Sequence, residues 1–223
     1  ALAALLDASG PAAGATGASD GAVSVASKKP GPMMDLARHA RAFYGSCEAD
    51  GLLRGLFHRR STFLVARTPL EADLVAEHGA DLAAAGERVL DVDRPTLLSR
   101  IPGLGDGVCF ALEIPDDGHA LGYEITQRLL QRSSVAVRRN APVSEIVMQG
   151  GQAVGAAVRG ELLAADAVLV AAGIGSVGLL GLGDVLIPRK GQMVVTDRAA
   201  AGRPAIDGHL MAASFLAAKR GIV

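Results

Sequence analysis

Leu2-Ala3-Ala4-Leu5-Leu6-Asp7, and the glycine-rich segment Gly14-Ala15-Thr16-Gly17-Ala18-Ser19-Asp20-Gly21 that follows it, are the stretch on which the fold turns. A short apolar run without alternation reads as a buried parallel strand. An acid at the carboxyl end of such a strand suits hydrogen bonds from ribose hydroxyls in a dinucleotide-binding core. An ordinary turn or cap aspartate is the competing reading of Asp7. The partner motif of such an acid, Gly-x-Gly-x-x-Gly, falls about 20 residues upstream, which here would precede Ala1. In the glycine-rich segment, small residues let a backbone approach a phosphate or a flat ring closely, and the hydroxyls of Thr16 and Ser19 can donate to it. The composition of residues 9–32 equally fits a flexible linker, although Ala22-Val23-Ser24-Val25 alternates apolar and polar. No Gly-Lys-Ser/Thr follows, so the segment is not a Walker A loop.

Working outward, residues 33–49 carry Leu36, Ala40, Phe43, Tyr44 and Cys47 at helical spacing just after Pro32. Residues 56–67 are strand-like around the basic cluster His58-Arg59-Arg60, and residues 69–78 return to helical spacing through Leu70, Leu74 and Val75. Short strands are expected around 89–92 and 108–112, with Pro95 opening a short helix between them. Asp117 suits the N-cap of a helix over 120–132 that turns Leu121, Ile125 and Leu129 inward. A strand over 135–137 follows, then strands over 143–148 and 153–158 flanking the turn Gly150-Gly151, and an extended piece over 162–165. Residues 167–171 form a near-continuous apolar run of buried-strand type, and residues 192–196 and 210–216 suggest two further strands. The order argues for an α/β core interrupted by a second, strand-rich lobe.

Composition narrows the function. The 223 residues are 50% apolar, with 22 basic against 23 acidic side chains, which leaves no electrostatic footprint for nucleic acid or an acidic membrane surface. Two cysteines, Cys47 and Cys109, exclude a disulfide scaffold and a cysteine-rich zinc site and read as buried thiols. The most apolar stretch, residues 164–182, holds Asp166 and several glycines and does not read as a membrane span. The histidines, His39, His58, His78, His119 and His209, lack metal-ligand spacing. Gly173-Ile174-Gly175-Ser176 lacks the spacing of a nucleophile elbow. Ala171-Ala172-Gly173 either leaves room for a ligand at a strand end or simply opens a helix. Pro188-Arg189-Lys190-Gly191-Gln192 reads as a basic surface turn, and His58 and Arg60 as a solvated strand end.

In order and spacing these segments resemble the D-amino-acid oxidase-like (DAO) family of FAD-dependent oxidoreductases, which includes glycine and sarcosine oxidases and the flavin subunits of opine dehydrogenase and hydrogen cyanide synthase. The resemblance is most specific at residues 165–173 and at residues 187–196, where a Pro-x-x-Gly-Gln strand is expected. It implies an α/β fold with an FAD-binding Rossmann-like core, its first strand and glycine motif missing, and an inserted strand-rich α+β substrate lobe. The FAD domain would comprise residues 1–55 and 116–186, the substrate domain residues 56–115 and 187–223. Asp7 would bind ribose; Thr16, Ser19 and Gly21 the pyrophosphate-to-flavin region; Val143 the adenine; Ala171, Ala172 and Gly173 the cofactor edge. The implied activity is oxidation of the C–N bond of an amino or imino acid by hydride transfer to FAD, with catalytic residues and metal unassigned. A cytoplasmic place or a peripheral one at the inner membrane is implied, as are partner subunits of a heteromeric dehydrogenase. By the same resemblance the chain is a fragment, with roughly 30 residues before Ala1 and well over 100 after Val223, beyond what a typical domain size would suggest. A non-catalytic subunit and an NAD-type Rossmann dehydrogenase are the alternatives.

Overall fold

The computed structural model describes residues 3–195 and 206–221. In chain order the elements are β1 (Ala4–Leu6), β2 (Ala22–Val23), α1 (Pro32–Ala49), β3 (Phe57–Arg59), β4 (Thr62–Ala66), α2 (Pro69–Ala84), β5 (Leu90–Asp91), α3 (Arg94–Arg100), β6 (Phe110–Ile114) and β7 (Gly118–Ala120). They continue with α4 (Gly122–Arg132), β8 (Ala136–Arg138), β9 (Val143–Gln149), β10 (Gln152–Val158), β11 (Glu161–Ala164), a 3-10 turn (Gly173–Gly175), α5 (Ser176–Leu180), β12 (His209–Ala212) and α6 (Ala213–Arg220). The chain divides into two compact units, Ala1–Asp20 with Leu121–Val194 and Gly21–Ala120 with Val195–Val223. The break at Asp20 leaves α1 in the second unit, where it packs on β2 and β3.

In the first unit, β1 and β8 pair in parallel, and the ladder runs on through the Asp7 N–H donating to the Arg138 carbonyl. β9, β10 and β11 form an antiparallel sheet. Gly150 and Gly151, at φ 58° and 80°, turn the β9–β10 hairpin as expected, because two consecutive left-handed residues match the strand twist and favour glycine. β1 is only half covered rather than buried: Ala4 is exposed and Leu5 and Leu6 are intermediate.

In the second unit, β12-β4-β6-β5 form a mixed four-stranded sheet and β2-β7-β3 a small antiparallel one. All of β4 is buried because both its faces are covered. Leu64 and Ala66 face a core with Val75 and Leu82 of α2 and Leu216 of α6, while Phe63 and Val65 face Leu97 of α3 and Ile101 just after it. Proline in the first turn starts α1, α2 and α3. Thr68 caps α2 by accepting from the Glu71 N–H, and Asp93 caps α3 by accepting from the Thr96 N–H. Hydrogen bonds from Thr96, side chain first, hold the Asp93 carboxyl below the ordinary aspartate range. Thr68→Ala is expected to lower stability by about 1 kcal/mol, read as a shift of the thermal midpoint.

Several expectations need correction. Residues 167–171 form no strand, and Leu169 is 92% exposed. An apolar run needs a hydrogen-bonding neighbour to become a strand, and among the described residues β1 and β8 pair with each other alone. Residues 192–195 are likewise irregular and exposed; Thr196 lies outside the described residues. The strand expected over 210–216 ends at Ala212, where α6 begins and buries Leu216. Residues 56–67 split into two strands belonging to different sheets. Residues 9–32 are no featureless linker: turns at Gly10 and Gly14, then β2, organise them. Leu36 and Phe43 point outward, and α1 instead buries Met34 and Cys47, with Tyr44 stacked on Phe57. Leu70 is exposed while α2 buries Val75; Leu121 and Leu129 are exposed while α4 buries Ile125. Cys47 is buried as expected, whereas Cys109 is exposed at the edge leading into β6. Asp117 caps nothing, since Leu121 is the N-cap of α4.

Candidate functional site

In the first unit the parallel pair β1 and β8 sends its carboxyl ends toward one crevice, the place where open α/β sheets bind ligands. Asp7 stands there, half-buried, with its Oδ1 accepting from the Ser9 N–H at 2.9 Å. Its carbonyl accepts from the Ala141 N–H at 2.9 Å. That bond brings the Pro142-Val143 entry into β9 beside the acid, so the expected ribose and adenine groups are neighbours.

The loop after Asp7 folds tightly on itself. Ala13 N–H donates to the Gly10 carbonyl and Ala18 N–H to the Gly14 carbonyl. Ala12 has φ 63°, a conformation that costs a non-glycine residue about 1–2 kcal/mol. A side chain at Gly17 would begin 2.0 Å from the Ala12 carbonyl oxygen. One at Gly122, the first residue of α4, would begin 2.3 Å from the Thr16 carbonyl oxygen. The glycines therefore let the loop close and seat it against the start of α4, leaving Thr16 and Ser19 exposed. A concavity of about 350 Å³ lies beside it, bordered by Ser9, Gly10, Ala13, Tyr123, Gln127 and Arg139. Tyr123, Gln127 and Arg139 lie outside the expected site residues; they come to the concavity from α4 and from just after β8, which no local spacing announces. Ala171, Ala172 and Gly173 are exposed, and Gly173 opens the 3-10 turn rather than ending a strand.

In the second unit Gly21 is buried beside β7, at φ 79°. The fully buried Asp117 lies in the same small sheet region and accepts from Val25 N–H at 2.9 Å, Thr62 Oγ1 at 2.7 Å, Ser24 Oγ at 2.5 Å and Arg41 Nη1 at 3.4 Å. Arg41 also binds Glu87, which pairs with Arg38 as well. His58 is exposed and lies opposite His119 in the β3–β7 register; Arg60 donates its N–H to the Asp117 carbonyl. Among the described residues no cluster suits a metal ion, and no helix is long and apolar enough to cross a membrane.

The FAD dependent oxidoreductase family model, DAO, matches residues 3–217. The chain belongs to this family. Its fold is similar to that of glycine oxidase from Bacillus cereus, with a TM-score of 0.72 at 20% identity over 81% of this chain and 51% of that one. Iminodiacetate oxidase from Chelativorans sp. gives a TM-score of 0.68 at 21% identity over 82% and 52%. The sequence is 29% identical over 161 residues to 4-methylaminobutanoate oxidase (formaldehyde-forming) from Paenarthrobacter nicotinovorans, covering 70% of this chain and 19% of that protein. The chain thus spans about half the length of these structural relatives and a smaller part of the sequence relative. The family fold is the expected mixed α/β one, and FAD is the family's cofactor. The first unit suits it: an acid at a parallel strand end, a backbone entry beside that acid, and a tightly closed loop with two exposed hydroxyls.

Proposed function

We propose that this chain forms part of a flavoenzyme that oxidises the C–N bond of an amino or imino acid. The observation that carries the reading is the Ala141 N–H bond to the Asp7 carbonyl, which sets the 141–143 segment beside the acid at the ends of one parallel strand pair. Asp7 binds the adenosine ribose, and the Val143 backbone faces the adenine. Thr16 and Ser19 donate to the pyrophosphate region, Gly21 lies toward the flavin, and Ala171, Ala172 and Gly173 border the cofactor. Residues 1–55 and 116–186 serve the cofactor, residues 56–115 and 187–223 the substrate. FAD, when bound, supplies the acceptor for a hydride from the substrate carbon; the protein binds, orients it and excludes water. The similarity to proteins named as oxidases of glycine, iminodiacetate and 4-methylaminobutanoate supports a small amino acid or secondary amine as substrate.

The test is the visible spectrum of the full-length protein that carries this sequence, followed by an activity screen over glycine, sarcosine, iminodiacetate, D-amino acids and proline. A flavin band and turnover of one of these compounds are expected. A colourless protein that stays so after reconstitution with FAD would overturn the reading.

A further inference from the structure

We infer that His119 is a positioning residue for the cofactor loop, its ring held by His209 and in turn fixing the backbone at Gly21 and Ala22. The inference rests on the assignment of Gly21 to the flavin region made above.

The strand that carries this backbone is short. β2 has two residues and, among the described residues, pairs with the three-residue β7, Ala22 opposite His119 and Val23 opposite Gly118. The Ala120 N–H donates to the Gly21 carbonyl at 2.8 Å. A Cβ at Gly21 would lie 2.9 Å from His119 Cε1 and 2.9 Å from the Ala120 carbonyl oxygen, so the imidazole edge fills the space a side chain would need. At φ 79° Gly21 occupies the left-handed region that glycine enters at little cost. The ring therefore packs on a backbone whose conformation and clearance both depend on glycine.

The ring is itself held. His119 Nδ1 lies 3.2 Å from His209 Nε2, with ring centroids 5.4 Å apart. Between two imidazole nitrogens one must donate and the other accept, so each ring fixes the tautomer and orientation of its partner. His209 opens β12, which pairs with the fully buried β4, and its N–H donates to the Ser61 carbonyl at 2.8 Å. A line of contacts thus runs from the rigid four-stranded sheet through His209 and His119 to Gly21. Support of this kind holds a binding backbone in its productive geometry.

The experiment uses the full-length protein and the variants His119→Ala, His119→Gln, His209→Ala and the double alanine. It reads FAD affinity by fluorescence quenching, the visible circular dichroism of bound flavin, and hydrogen exchange of peptides spanning residues 20–26 without cofactor. Expected are a loss of FAD affinity on the order of tenfold in His119→Ala, an altered flavin dichroism and faster exchange. The glutamine variant, which can keep a hydrogen bond to His209, recovers most of the loss, and the two alanine changes are non-additive. Unchanged affinity, dichroism and exchange, or a loss confined to the melting temperature, would overturn the inference. A wild-type protein that binds no FAD instead overturns the flavin reading, and the exchange rates then decide alone whether His119 holds this backbone.

Discussion

Asp117→Ala is expected to destabilise the protein by about 3–5 kcal/mol, a large share of the 5–15 kcal/mol that holds a typical domain together. The carboxylate is fully buried and accepts at once from the Val25 N–H, the Ser24 and Thr62 hydroxyls and Arg41. Its removal takes a partner from each of them in a place closed to water, and a buried donor left unsatisfied costs about 1–3 kcal/mol. The guanidinium of Arg41 keeps Glu87 but loses its second anion. Because the four donors come from the segment after β2, from β4 and from α1, the loss loosens three elements together. Asp117→Asn is milder, at about 1–2 kcal/mol, because its carbonyl still accepts from Val25 and the hydroxyls can rotate to accept from its amide. Urea unfolding of the three proteins measures this ordering. A loss below about 1 kcal/mol in the alanine variant would mean that the surroundings collapse or hydrate to satisfy the freed donors.

Asp117 also shows where sequence reasoning stopped. Its hydroxyl partners Ser24 and Thr62 are 93 and 55 positions away, so no local spacing could join them. Locally the residue has every property of a helix cap, an acid a few positions before a helical apolar spacing. The His119–His209 pair, 90 positions apart, was hidden for the same reason. Features set by one residue's own conformational limits were legible: the Gly150-Gly151 hairpin and the helices opening at Pro32 and Pro69. Periodicity gave the length of α1 but not its orientation. Leu36, Ala40, Phe43 and Cys47 repeat along one stripe, but the covered side runs through Met34, Ala37, Arg41 and Tyr44, which meet the core, Glu87 and Phe57. At residues 167–171 the apolar content showed a capacity to pair, and pairing depends on a second strand. Asp7 is legible as an acid at a strand end, whereas the part given to the glycine-rich loop comes from the family resemblance, because a linker has the same composition. Tyr123, Gln127 and Arg139 come from far along the chain to border a concavity with residues 9–13.

Gly122→Ala separates the stability of the first unit from its affinity for cofactor. The new Cβ would start 2.3 Å from the Thr16 carbonyl oxygen and 3.0 Å from Thr16 Cγ2. The nearest atom is backbone and cannot swing aside, so the loop or the first turn of α4 must move. Helix propensity works the other way: within a helix, alanine is better than glycine by up to about 1 kcal/mol. Gly122 is the first residue of α4 and is not among the positive-φ glycines, so its backbone suits alanine. The two effects oppose each other in stability, and the net change is expected to stay within about 1 kcal/mol. Binding has no such compensation. The displaced segment carries Thr16, with Ser19 three residues on, and a shift of about 1 Å in positioning groups can cost up to a hundredfold. FAD affinity of the full-length protein, measured by fluorescence quenching, is therefore expected to fall between tenfold and a hundredfold, while far-ultraviolet dichroism and the thermal midpoint stay close to wild type. Wild-type affinity in a folded Gly122→Ala protein would remove the Thr16 loop from the cofactor site.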